Sequence, residues 1–173
     1  MTAFQVMVYY AEKLSGDADL SAWMLETFGK QLGIFVGYDG VDALGESDAP
    51  YLGMLPMGET IGPEAEAQEF TFRFEFGLLW DKEPLKTGSI VVDAAMSLMD
   101  REFSPRIMQA IHEATVDDGM APDYGSGITY TSRAGYCERD LIVTLRIPTT
   151  IGLFTSTPFW REDNGSETHG QGL

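Results

Sequence analysis

The sequence predicts an α+β fold, in which a mainly antiparallel sheet covered by helices occupies residues 1–148 and a tail runs over 149–173. Three observations point there. Phe70, Phe72, Phe74 and Phe76 alternate with Thr71, Arg73 and Glu75, the period of two expected of a half-buried strand. Leu20, Trp23, Met24 and Phe28 recur at helical spacing and stop at Gly29. The elements also follow as two helices, three strands, a broken helix and two strands, without the regular β-α-β alternation of a doubly wound parallel sheet.

Each element has its own signal. Phe4, Met7, Val8, Ala11 and Leu14 favour a first helix, although FQVMVYY is rich enough in β-branched and aromatic residues to suit a strand. Asp19 is placed to cap the second helix. In GIFVGYDG, Ile34, Val36 and Tyr38 alternate with Gly33, Phe35 and Gly37, the pattern of a closely packed strand. YLGMLPM after Pro50 reads as a short strand, and the stretch from Gly58 to Gln68, with Gly62, Pro63 and several glutamates, reads as a polar connection to FTFRFEF. The four phenylalanines require a cover. A helix from about Gly88 to Arg101, with Ile90, Val91, Ala94, Ala95 and Leu98 in one stripe, is the expected one. Ser104 and Pro105 then restart the helix as cap and first-turn residue, Ile107, Met108 and Ile111 carry its apolar face on, and Asp117, Asp118, Gly119 and Pro122 end it. GITYTSR and CERDLIVTLRI have strand composition and are expected to pair as a hairpin through Gly135.

Composition narrows the class. A chain of 173 residues can bury about 70% of its unfolded surface in one domain. With 44% hydrophobic and 22% charged residues, 3 Trp, 7 Tyr and 10 Phe, it is not a disordered polar chain. Eleven Lys and Arg against 27 Asp and Glu leave a formal charge of −16, which disfavours binding to nucleic acid or to an anionic membrane. Cys137 is the single cysteine, MTAFQVMVYYAEKLSG lacks the marks of a secretory signal, and no apolar run approaches the roughly 18 residues of a membrane helix. A soluble protein made in a reducing cytoplasm is expected.

Chemistry finds little purchase in this pattern. His112 lies among apolar helical positions and His169 in the polar tail; one cysteine and two distant histidines do not make a zinc site. Asp17-Ala18-Asp19 and Asp117-Asp118-Gly119 lack the further ligands of a calcium loop, and Gly125-Ser126-Gly127 suits a turn. No nucleophile elbow, Walker loop or dinucleotide fingerprint occurs. Asn164-Gly165-Ser166 matches a glycosylation acceptor that has no meaning without secretion. Carboxylate pairs among 27 acids stay open, since folding decides which of them meet. No catalytic residue, metal or cofactor is assigned, and the chain is expected not to be an enzyme.

The charge is unevenly placed. Between Lys30 and Arg73 stand Asp39, Asp42, Glu46, Asp48, Glu59, Glu64, Glu66 and Glu69, with no base. They are either solvated loops that keep the chain soluble, or a negative surface suited to a ring through which DNA slides without adsorbing.

The helix, the strand GIFVGYDG, the acidic loop, APYLGMLPMGE and QEFTFRFEFGLLW followed by a helix together resemble the tail terminator, or tail completion, proteins of long-tailed bacteriophages. The matching residues are Pro50, Tyr51 and Leu52, then Phe72, Phe74, Phe76, Leu78 and Trp80, within roughly residues 20 to 147. The broken helix through Pro105 and the C-terminal tail are longer than the compact form of that fold requires. The resemblance implies a structural virion protein: a homo-oligomeric ring, a hexamer, that caps the tail tube protein, ends its polymerisation and offers a docking surface to a head-tail connector or stopper protein. DNA would pass the lumen without specific binding. Asp39, Asp42, Glu46, Asp48, Glu64, Glu66 and Glu69 would line that lumen, and Phe154, Phe159 and Trp160 would anchor the tail on a neighbouring subunit. A tube or connector subunit is the near alternative; a small acidic enzyme, a ligand-binding domain and a DNA-mimic inhibitor are the others.

Overall fold

The computed structural model describes residues 2–37, 44–60, 67–117, 121–123, 129–133 and 135–148. Their architecture is α+β: a six-stranded sheet, mainly antiparallel, with helices against one face, and a separate two-stranded ribbon.

Helix α1, Ala3–Gly16, begins at a capping box in which Thr2 Oγ1 accepts from the Gln5 N–H at 3.3 Å and Gln5 Oε1 accepts from the Thr2 N–H at 2.9 Å. The helical reading of FQVMVYY thus holds, but its inner stripe is rotated. Val6, Met7, Tyr10 and Leu14 are buried, whereas Phe4 is 54% exposed. Helix α2, Ala18–Phe28, is capped by Asp17, whose carboxylate accepts from the Leu20 N–H at 2.8 Å, and not by Asp19, which lies inside the first turn. Asp17 is the only residue between the two helices, so it closes α1 and opens α2. Gly29, at φ 68°, ends α2 in the left-handed region where a side chain would be strained.

The sheet orders as β1 (Gly33–Val36), β2 (Tyr51–Thr60), β3 (Ala67–Leu79) and β8 (Tyr136–Pro148), with β6 (Ala121–Asp123) and β7 (Thr129–Arg133) both on the outer side of β8. β1 pairs in parallel with β2, and β2, β3 and β8 are antiparallel neighbours. β7 forms the expected hairpin with β8, turning at Gly135 with φ 83°. β6 is an unforeseen edge strand, with Pro122 tolerated there because an edge need not donate every N–H.

The connection expected over 58–68 is shorter than its composition suggests. β2 runs to Thr60 and β3 starts at Ala67, with a register shift between Pro56 and Gly58 that leaves Met57 as the extra residue of a bulge. The bulge reverses which residues face inward. Before it Met54 stands opposite Phe74; after it Glu59 stands opposite Phe70, on the helix side of the sheet. There the Glu59 carboxylate accepts from the Ala3 N–H at 3.2 Å, satisfying a free donor of the first turn of α1.

Phe70, Phe72, Phe74 and Phe76 are all fully buried along β3, and the rings of the first three stack in sequence. Their cover is α1, through Met7 and the edge of Tyr10 against Phe74, together with the helical segment that starts at Ala94. Gly88–Val92 is therefore not helix. Leu85–Thr87 (β4) and Ile90–Val92 (β5) form a separate two-stranded hairpin, and Ile90 and Val91 are exposed. The helix then runs without a break, as α3 (Ala94–Leu98), one π-turn (Met99–Phe103) and α4 (Ser104–Asp117). Ser104 is not a cap: it is helical, its N–H and its hydroxyl both donate to the Met99 carbonyl, and it is buried. Pro105 explains the turn. It has no N–H for the preceding carbonyls and its ring crowds them, so the helix widens by one residue in place of kinking. Arg139 of β8 holds the wide turn through Asp100 and the Ser104 hydroxyl.

Candidate functional site

Two features of the surface are unaccounted for by packing. The first is the β4–β5 hairpin. The Gly88-Ser89 pair between Thr87 and Ile90, with φ 61° at Gly88 and no positive φ at any described non-glycine residue, is the two-residue turn that suits a twisted hairpin. Every residue from Asp81 to Val92 is exposed. Leu85 opposes Val92 and Thr87 opposes Ile90, so Leu85, Ile90 and Val92 share one side of the ribbon, at exposures of 49%, 63% and 41%. Lys86 and Val91 share the other. A Gly-Ser turn between LKT and IVV is visible in the sequence, but Ile90, Ala94 and Leu98 also fit a helical stripe, and that coincidence conceals the hairpin.

The second feature lies on the sheet face away from the helices. Tyr51 of β2, Glu75 of β3 and Tyr136 and Glu138 of β8 converge there because antiparallel register sets Tyr51 beside Gly77 and Gly77 beside Glu138. Gly77 is required: a Cβ at that position would lie 2.1 Å from Tyr51 Cε1. The buried Tyr51 hydroxyl stands 3.0 Å from that of Tyr136, 3.1 Å from Glu138 Oε1 and 3.3 Å from Glu75 Oε1. Arg73 reaches Asp140 at 2.7 Å and Glu75 Oε2 at 3.4 Å. Burial raises the Glu75 carboxyl above the usual carboxylate range; Arg73 opposes that, while Asp140 and Glu138 add to it. Burial also pushes both tyrosine hydroxyls upward, so they stay protonated. Spacing alone leaves such carboxylate pairs open because their meeting depends on the register of three strands.

The acids singled out in the sequence fall differently. Asp39, Asp42, Glu64 and Glu66 lie outside the described residues, as do Phe154, Phe159 and Trp160. Glu46 and Asp48 form a 3₁₀ turn, where Glu46 meets Arg133 at 3.5 Å and Asp48 accepts from the Gly45 N–H. Glu69 is not a loop residue. It belongs to β3, on the face away from the helices, and its carboxylate meets Arg146 at 2.9 Å. A stretch without a base in the sequence is thus supplied with Arg133 and Arg146 from the C-terminal strands; both pairs are well exposed, and each is worth about 1 kcal/mol or less.

Among the described residues no group of three or more His, Cys, Asp or Glu side chains is arranged to hold a metal ion, and no helix is long and apolar enough to cross a membrane. Two shallow surface clefts flank α2, one lined by Leu14, Leu20, Met24 and Ile34, the other by Asp17, Asp19, Arg106 and Glu113. His112 sits on the exposed side of α4 and His169 lies outside the described residues. Cys137 is buried, and burial with the nearby Asp93 and Asp100 charges pushes its thiol up to about 11. No protein-family model and no curated protein matches the chain.

Proposed function

We propose that this chain is a structural subunit without turnover, which associates with copies of itself into a ring that ends a phage tail tube and receives the head. The observation that carries the association is the β4–β5 hairpin. A two-stranded hairpin with three residues per strand is marginal in water on its own, and one that presents Leu85, Ile90 and Val92 to solvent gains its burial from another surface. A projecting arm also suits a head-to-tail contact, in which one patch of a subunit meets a different patch of the next and the rotation closes into a ring. The likeness of residues 20 to 147 to tail terminators supplies the role, and the formal charge of −16 suits a passage for DNA.

The test is the mass of the protein in solution by light scattering after gel filtration, alone and with tail tubes, for the native chain and for Ile90→Asp. The reading expects one closed oligomer, or a monomer that assembles on tubes and stops their growth, and the loss of both in Ile90→Asp with an unchanged circular dichroism spectrum. A native chain that stays monomeric and ignores tubes refutes it.

A further inference from the structure

We propose that Glu75 and Glu138 hold a single proton between them at the Tyr51 hydroxyl, and that release of this proton as pH rises charges the sheet face away from the helices and loosens the joint between β2, β3 and β8. The inference does not depend on the ring.

Three oxygens lie within 3.3 Å of Tyr51 Oη: those of Tyr136, Glu75 and Glu138. A phenol has one donor and two acceptor sites. If both carboxyls are ionised, the two tyrosines supply the protons for these three contacts: Tyr136 donates to Tyr51, Tyr51 donates to one carboxylate, and the other carboxylate faces a lone pair. A buried acceptor set against an acceptor is costly. If one carboxyl keeps its proton, it donates to Tyr51 while Tyr51 donates to the other, and all three contacts become hydrogen bonds.

The neighbours favour the protonated arrangement. From β2 the cluster is faced by Tyr51; from β3 by Arg73, with Gly77 offering no side chain; from β8 by Tyr136, Glu138 and Asp140. From β7 Arg133 lies over the Tyr136 ring and meets Glu46, while Phe35 and Leu44 contribute only apolar surface. Among the described residues Arg73 is the cation paired with Glu75, and its shorter bond is to Asp140, at 2.7 Å against 3.4 Å. It is also 41% exposed and therefore screened, whereas Glu75 is 15% exposed. Burial and the adjacent acids outweigh it, which agrees with the raised Glu75 carboxyl.

A carboxyl whose folded-state pKa is raised adds stability that is complete below its unfolded value, near 4.3, and is lost as pH climbs through the folded value. Glu75→Gln places an amide donor where the carboxyl proton would be and cannot lose it. Its melting temperature should match that of the native chain near pH 4 and exceed it by about 2–4 °C near pH 8. Carbon-detected NMR of the native side-chain carboxyls should show Glu75 titrating above the ordinary range. Two results overturn the inference: melting curves of Glu75→Gln and Glu138→Gln that run parallel to the native curve from pH 4 to 8, or a native Glu75 carboxyl that titrates at its ordinary value. The NMR measurement decides alone if the glutamine variants do not fold.

Discussion

Gly77→Ala adds one methyl group where the Tyr51 ring already lies. The new Cβ would fall 2.1 Å from Tyr51 Cε1, 2.3 Å from Cζ and 2.7 Å from Cδ1, all far inside contact distance. Tyr51 cannot yield cheaply. It is fully buried, its ring packs edge-to-face with that of Phe35, and its hydroxyl is tied to both Tyr136 and the two glutamates. Forcing an extra carbon into a packed site costs about 1–3 kcal/mol. Displacing the hydroxyl loses hydrogen bonds worth about 1 kcal/mol each, so a total near 3 kcal/mol is expected, with a fall in Tm of roughly 6–12 °C. The assay is thermal and urea unfolding followed by circular dichroism, with Gly58→Ala as control. Gly58 lies on β2 with an ordinary φ, and nothing stands within 4 Å of where its added methyl group would sit, so that variant should stay within about 0.5 kcal/mol of native. In a Tyr51→Ala background the methyl at 77 has room, and its penalty should vanish. A Gly77→Ala variant as stable as the native chain, or a penalty that persists without the Tyr51 ring, refutes the reasoning.

Four further outcomes are expected. Asp17→Ala should lose about 1 kcal/mol, since this carboxylate caps α2, whereas Asp19→Ala should fall within about 0.5 kcal/mol of native; urea unfolding of both variants compares them. Cys137 should react with a thiol reagent at pH 8 far more slowly in the folded chain than in urea, because it is fully buried and its thiol is pushed up to about 11. Ile90→Asp should abolish the self-association proposed above without unfolding the domain, read by light scattering. Glu75→Gln should melt above the native chain near pH 8 and level with it near pH 4, because the raised carboxyl loses its stabilising proton as pH rises.

Much of this fold is local in origin, and what is local is legible. The alternation from Phe70 to Phe76 marks a strand buried on one face whatever pairs with it, since side chains of a strand point alternately to its two sides. The stripe of α2, its stop at Gly29 and the hairpin at Gly135 follow from spacing and from the backbone freedom of glycine. Where two periods fit the same residues, spacing misleads. Ile90, Ala94 and Leu98 satisfy a helix, yet Gly88-Ser89 turns the chain back and Asp93 accepts from the Met96 N–H, starting the helix four residues later than Ile90. Ser104 and Pro105 carry the signature of a helix start, but Phe103 and Ile107 are both fully buried in one core, and packing holds the helix together through a π-turn.

The sequence alone determined the class of the fold, its main buried stripe and the surplus of acid. Tertiary structure decided which acids meet a partner. Arg133 and Arg146 return from the last strands to Glu46 and Glu69, a bulge at Met57 turns Glu59 toward the start of α1, and register brings Glu75 and Glu138 to one hydroxyl. The physical reason is that periodicity is set by each residue's own backbone geometry, whereas the meeting of charges depends on strand order, register and a single inserted residue, which only the folded chain fixes.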